Sequence, residues 1–392
     1  MSRAERIADM KNDVVAWRRD LHTHPELLYD VVRTAGVVAD RLRSFGADEV
    51  VTGIGRTGVV GLIRGKIRGK DAGPVIGLRA DMDALPIEEE TNLPYRSATP
   101  GIMHACGHDG HTAMLLGAAR YLAETRDFAG TAVVIFQPAE EGGAGAKAML
   151  DDGLLDRFGI QEVYGMHNMP GMVPGSFAIR PGAMLAAADR FRIVIEGKGS
   201  HAAHPHEGID SVVAASHLVL ALQTVVARNV DPLKNAVVSV TTVNGGDAFN
   251  VLPQRVTLTG TVRTLDPAVR DLCEARLTAL ARSIPAALGA TAEVEFWRGY
   301  PVTMNNPDAT RFAADVARSI SSTGAVDTGI QPIMGAEDFS FMLEQRPGAF
   351  IFIGNGDSAG LHHPRYNFND EIVTAGIAYW TSLVEERCAV QV

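Results

Sequence analysis

Four short apolar runs, at residues 58–63, 75–80, 131–136 and 162–166, are separated by stretches of helical character such as 111–124 and 145–150. Strands alternating with helices predict an α/β layer with a mostly parallel sheet flanked by helices, because parallel neighbours need a crossover between them. The residues just beyond these runs narrow the choice further. Asp81-Met82-Asp83 comes after the second run, Glu140-Glu141 after the third, and His167 after the fourth. Sites in open α/β sheets gather beyond the carboxyl ends of strands, so one sheet can bring these distant residues together. Amphipathic helices are expected ahead of the sheet, one carrying Trp17 and Leu21 and one at 31–45.

The middle of the chain reads differently. Strand patterns at 191–196, 237–243, 256–263 and 291–297 alternate with helical patterns at 209–228 and 268–288. The order β-α-β-β-α-β is the ferredoxin-like plan. The reading is a catalytic α/β domain at 1–186 and 299–392, interrupted by a smaller ferredoxin-like α+β domain at 187–298. A length of 392 residues agrees with two cores better than one.

Charge removes several classes of partner. Lys+Arg 36 against Asp+Glu 46 leaves a net charge of −10 with no basic block, which argues against nucleic acid and anionic membrane. Residues 1–21 carry charges throughout and lack the apolar core of a signal peptide. The longest apolar stretch, 212–226, is interrupted by Ser216, His217, Gln223 and Thr224, so a packed helix is expected there. Cys106, Cys273 and Cys388 make no disulfide framework, and a reducing, cytoplasmic location fits best.

The chemistry-bearing residues are Cys106 and His108 in His104-Ala105-Cys106-Gly107-His108-Asp109-Gly110-His111, Glu141 in Gln137-Pro138-Ala139-Glu140-Glu141-Gly142-Gly143, His167, and His363 in Leu361-His362-His363-Pro364. A thiolate, three imidazoles and a carboxylate are too many donors for one tetrahedral ion. They suit two borderline divalent ions sharing a ligand, with Zn, Mn, Co and Ni all compatible. Spacing does not choose between His362 and His363; His363 is the one assigned. Glu140 adjoins a ligand and is left over to take a proton from metal-activated water. Asp81 and Asp83 end an apolar strand and are read as supporting the ligands rather than binding metal. His104 and His111 are read as orienting ligands or capping the next helix. On the insert, His201 has the chemistry to donate to an oxyanion, and Arg263 to grip a carboxylate. By spacing alone, though, His201, Asn250 and Arg263 read as a turn His, a turn Asn and a surface Arg. Gly53-Ile54-Gly55-Arg56-Thr57-Gly58 matches the dinucleotide fingerprint, but a strand pattern comes next where a helix is required, so a hairpin turn is expected.

Taken together, His22-Thr23-His24-Pro25-Glu26-Leu27, Arg79 to Pro86, His104 to His111, Gln137 to Gly143 and Met334-Gly335-Ala336-Glu337-Asp338-Phe339 resemble the M20 metallopeptidase family, in its amidohydrolase branch. That branch includes hippurate hydrolases, N-acyl-amino-acid amidohydrolases and auxin-conjugate hydrolases. The resemblance runs nearly end to end. It implies Cys106, His108, Glu141, His167 and His363 as ligands of two metal ions, with Cys106 bridging and Glu140 as general base and acid. It also implies a lid or dimerisation role for the insert, with His201 reaching a partner subunit's site in a homodimer, and Asn250 and Arg263 holding a substrate carboxylate. Where many family members have His-x-Asp, this chain has Asp81-Met82-Asp83, so their metal geometry does not transfer. The expected reaction is hydrolysis of the amide bond of a small N-acyl amino acid. The alternatives are a dipeptidase acting on free-amine dipeptides and a non-catalytic ligand-binding relative.

Overall fold

The computed structural model describes residues 1–66 and 73–389. The chain opens with helix α1 (Arg3–Thr23), whose Ser2 and Glu5 form a reciprocal capping box. Ile7, Met10, Val14, Trp17 and Leu21 are buried along α1 at steps of three and four residues, so one stripe faces the core. Helix α2 (Val32–Ser44) comes next, then strands β1 (Glu49–Ile54) and β2 (Gly58–Arg64). The two strands pair antiparallel from Ile54↔Gly58 onward, so the glycine-rich segment is a hairpin turn, as its flanking strand pattern predicts. After them come β3 (Val75–Asp81), α3 (His108–Thr125), β4 (Thr131–Gln137), α4 (Gly145–Asp151), β5 (Glu162–Pro170) and β6 (Phe177–Ala178).

The chain then builds β7 (Ala187–Glu196), β8 (Ser200–His201), α5 (Ser211–Thr224), β9 (Ala236–Asn244), β10 (Val251–Leu252), β11 (Arg255–Thr264), α6 (Pro267–Ala287) and β12 (Thr291–Arg298). It finishes with α7 (Pro307–Arg318), β13 (Val326–Asp327), β14 (Gly348–Gly356) and α8 (Val373–Arg387). Two compact units result. The first comprises Met1–Gly182, Met304–Gln331 and Asp338–Val392; the second comprises Ala183–Thr303 and Pro332–Glu337. The stretch 187–298 lies inside the second unit, which also recruits Pro332–Glu337, a segment with no periodicity of its own to signal it.

In the first unit eight strands pair in the order β1-β2-β4-β3-β5-β14-β6-β13. The centre, β4-β3-β5-β14, is parallel, and the β1-β2-β4 flank and the β14-β6 pair are antiparallel. β14 is buried along its whole length, as expected of a strand covered on both faces. Its core is continuous with residues of α1, α2, α3 and α8, including Trp380 and Leu383. β5 runs to Pro170, so His167 and Asn168 lie inside the strand and not just beyond it. The reason is pairing: His167 is in register with Phe352 of β14, which carries the ladder past Met166.

In the second unit β9-β11-β7-β12 form an antiparallel sheet, the strand order of a ferredoxin-like plan, with α5 and α6 packed on it. Asp210 caps α5 and Asp266 caps α6, each accepting two backbone N–H groups. The helical stretch Ser211–Asn229 is long and apolar enough to cross a membrane by length and composition. Here it buries Ala214, Ala215, Leu218, Leu222 and Val225 in the core of this unit. Each buried leucine contributes about 1.5–3 kcal/mol relative to exposure.

Candidate metal centre

The site lies in the first unit, beyond the carboxyl ends of β3 and β4 and against β5. Gly107 starts α3 at φ +92°, and a Cβ there would fall 2.3 Å from Asn168 Nδ2 and 2.5 Å from Tyr366 Oη. Only glycine therefore lets the loop carrying Cys106 turn into the helix carrying His108 at this distance from β5. Asn168 Nδ2 donates to Cys106 O at 2.7 Å, and Tyr366 Oη donates to Asn168 Oδ1 at 2.7 Å, locking that loop to the strand.

Two imidazoles are held in the tautomer that leaves Nε2 able to bind a cation. His108 Nδ1 bonds to the main-chain oxygen of Asp83 at 2.8 Å, and His167 Nδ1 to that of Asn168 at 2.7 Å. An amide oxygen only accepts, so each Nδ1 carries the proton. His167 Nε2 then faces Cys106 Sγ at 3.3 Å, and buried His108 Nε2 has no hydrogen-bond partner among the described residues. Donor atoms of Cys106, His108 and His167 lie within 4.8 Å of one another, as do those of Cys106, Glu141 and His362. The Cys106 sulfur is common to both groups.

His363 requires correction. His362 is the imidazole at the cluster, with Nε2 3.2 Å from Glu141 Oε1. The turn inverts the pair: His362 adopts φ +64° and its N–H donates to Ala105 O at 2.8 Å, while His363, exposed like His362, turns away and its Nδ1 accepts from the Arg365 N–H at 3.0 Å. Neighbours in a tight turn point in different directions, and spacing carries no information about which one points inward.

The carboxylates sort into distinct tasks. Asp83 accepts the main-chain N–H of Glu140 at 2.9 Å and of Glu141 at 3.1 Å, so it orients the turn that presents both. Ala139, just before that turn, sits at φ +53°, a conformation an L-residue holds only when its surroundings impose it. Asp81 bonds to His111 Nδ1 at 2.7 Å, and His111 Nε2 accepts from the Asn168 N–H at 3.0 Å. With both nitrogens engaged, His111 positions its neighbours and has no lone pair to spare. His104 is buried with neither nitrogen bonded among the described residues, and burial pushes it down to about 3, so it stays neutral and orients no ligand through a hydrogen bond there.

A brace that the spacing did not reveal sits beneath. Buried Arg79 donates to Asp81 at 2.7 Å, Gln137 Oε1 at 2.8 Å and Asp338 at 3.0 Å. Asp338 also accepts from Gln137 Nε2 at 2.8 Å and the Ala146 N–H at 2.9 Å, gripping both ends of the segment that contains Glu140 and Glu141. A charged pair ending an apolar strand, Arg79 with Asp81, was the available signal.

The electrostatics fit a cation. Burial, with the Glu141, Glu140 and Asp81 carboxylates, pushes the Cys106 thiol well above its ordinary range. Burial and the nearby His111 hold His167 well below its usual value, hence neutral. Burial lowers His108, but Asp81, Asp83 and Glu141 outweigh it and raise it to about 10. Four carboxylates around a thiol and three imidazoles thus call for positive charge, and a soft–borderline S, N and O donor set suits divalent transition ions.

His201, Asn250 and Arg263 all belong to the second unit. β8 and β10 form a ribbon with His201 opposite Val251, and Asn250 O accepts the Ala202 N–H at 2.9 Å, so His201 and Asn250 are neighbours and both are exposed. Arg263, half-buried, lies at the other end of β11, in register with Ala188, whereas Arg255 at the ribbon end pairs with Glu196. Eight strand residues separate the two ends, roughly 26 Å.

The chain is similar to proteins of one known family. The model of peptidase family M20/M25/M40 matches residues 77–386. The chain is 42% identical over 377 residues to hippurate hydrolase of Campylobacter jejuni, covering 96% of this chain and 97% of that one. It is 42% identical over 368 residues to N-acetyl-L-cysteine deacetylase of Bacillus subtilis, covering 94% and 86%. Among solved structures it resembles the Bacillus subtilis YXEP protein, a dinuclear metal binding peptidase from the M20 family, with a TM-score of 0.84 and 35% identity over 97% of this chain and 99% of that one.

Proposed function

The chain belongs to peptidase family M20/M25/M40, and from that premise we propose that it hydrolyses the amide bond of small N-acyl amino acids in a metal-dependent reaction. The observation that carries this reading is the pair of donor groups meeting at Cys106, beside a second carboxylate, Glu140, whose backbone is fixed by Asp83.

Cys106, His108, Glu141, His167 and His362 would hold two divalent ions, of Zn, Mn, Co or Ni. Bound there, such ions supply positive charge that polarises the amide carbonyl and acidifies water. The Glu140 carboxylate takes the proton of the attacking water as its oxygen bonds to the carbonyl carbon. A donor, assigned to His201, stabilises the oxyanion of the tetrahedral species. When the C–N bond breaks, Glu140 passes its proton to the leaving nitrogen, and the products are a carboxylate and a free amino acid. Asn250 and Arg263 grip the amino-acid carboxylate, and the second unit acts as a lid that excludes water.

Separation along β11 bears on how these residues meet. A small carboxylate spans far less than roughly 26 Å, so one second unit does not offer His201, Asn250 and Arg263 to the same molecule. A homodimer, with His201 and Asn250 supplied in trans, resolves this. It is supported by the exposed edge strand β9, with Val237 and Val243 exposed, and by the outward residues Val212, Val213 and Leu220 of α5. Three free cysteines accord with a cytoplasmic location.

The test is release of free amino acid from N-acetyl, N-benzoyl and longer N-acyl amino acids, after chelation and with Zn, Mn, Co or Ni restored. Metal-dependent release is expected, with the matching dipeptides turned over more slowly. Silence across the panel in protein that rebinds two ions would overturn the assignment.

A further inference from the structure

We propose that the turn at residues 204–207 in the second unit is an additional transition-metal site, with His204, His206 and Glu207 as ligands for zinc, nickel or copper. It is exposed on all three ligands and exchangeable, unlike the cluster around buried Cys106, His108 and His167. Donor atoms of the three side chains lie within 4.8 Å of one another, and His206 Nε2 is 4.0 Å from Glu207 Oε1.

The backbone presents them together. The N–H of His204 donates to His201 O at 2.8 Å, that of Glu207 to His204 O at 3.1 Å, and that of Gly208 to Pro205 O at 3.2 Å. Pro205 occupies the first position of the resulting 3₁₀ turn and restricts its φ. Gly208 closes it tightly, since a Cβ there would fall 2.5 Å from Ser200 Oγ. Tetrahedral zinc with bonds of about 2.0–2.1 Å sets its donors roughly 3.4 Å apart. The three groups reach that spacing by rotating about 1–1.5 Å inward, a small change for solvated side chains. Two imidazoles and one carboxylate favour zinc, nickel or copper over calcium or magnesium and leave a coordination position for water.

The site is tied to the residue assigned to the oxyanion. The His204 and His201 rings lie 5.4 Å apart, and His201 Nδ1 accepts the Ala203 N–H at 3.1 Å within the same turn. A bound ion stiffens the ribbon that carries His201, so excess metal slows turnover. This second part rests on the proposed role of His201; the binding site itself does not.

Ion counting after dialysis against increasing free zinc tests the site without reference to catalysis. The intact wild-type protein is expected to bind one ion per chain more than H204A/H206A at tens of micromolar zinc, with the tightly held ions unchanged. Equal counts would overturn the site. Turnover at stoichiometric and at excess zinc tests the consequence. Inhibition by excess zinc, weakened tenfold or more in H204A/H206A, supports it; equal inhibition in both proteins overturns the link to His201. Absence of turnover in both would overturn the proposed amide chemistry while the ion count still decides the site.

Discussion

The Oδ1 of Asp83 accepts the main-chain N–H of Glu140 at 2.9 Å. With Oδ2 engaged by Glu141 at 3.1 Å, one buried carboxylate sets where Glu140 and Glu141, the proposed proton carrier and ligand, point. Asp83→Ala is expected to lower metal affinity or turnover about 10–100-fold and to destabilise the fold by about 1–3 kcal/mol. Metal titration and urea unfolding measure the two effects; unchanged metal affinity and rate would remove Asp83 from this role.

Glu140→Gln keeps the size and the backbone bond of Glu140 but cannot accept a proton and pass it on. Turnover should fall by about 10²–10⁴ while two ions remain bound. Near-wild-type rates would assign the proton transfer to another group.

His362 and His363 make a paired test. His362→Ala should lose one ion or weaken its binding at least tenfold, whereas His363→Ala should bind two ions as the wild type does. Ion counting on both variants decides, and the reverse pattern would restore the assignment to His363.

Arg79 neutralises Asp81 and Asp338 at 2.7 and 3.0 Å in a fully buried setting. Arg79→Met leaves uncompensated buried carboxylates and should cost about 3–5 kcal/mol, read as a lowered urea midpoint. A midpoint equal to wild type would show that the brace carries no stability.

Burial alone would lower His22, but the Asp109 carboxylate at 2.8 Å outweighs it and raises His22 to about 9. A raised histidine stabilises fully below its unfolded value of about 6.5, and that stabilisation is lost as pH rises through 9. The wild type should therefore lose on the order of 1–3 kcal/mol between pH 6.5 and 9. His22→Gln should flatten that slope in thermal melts; parallel slopes would exclude His22 as the source.

Periodicity was enough to recover the α/β class and several of its elements, though β1, β6, β13 and β14 lie outside the runs that predicted strands. The run at 131–136 grew by one residue into β4, and the helical pattern at 31–45 became α2, since apolar spacing records which face each element buries. The β-α-β-β-α-β order likewise appears in the second unit because element order is a property of the chain itself. Pro332–Glu337 joined that unit unannounced, because a segment without periodicity is assigned by what it packs against.

The donor inventory was legible along the chain: Cys106, His108, Glu141 and His167, with Glu140 beside them, are recognisable as residue types placed near strand ends. Which donors converge was settled by folding alone. The packed structure chose His362 over His363 through a left-handed turn residue, engaged both nitrogens of His111, and set Asp83 on the two N–H groups of the Glu140–Glu141 turn. It also placed Arg263 at the opposite end of β11 from His201 and Asn250. Residue type and order are local properties, whereas the direction of a side chain in a turn, and the partner that uses its lone pair, depend on contacts between segments far apart in the chain.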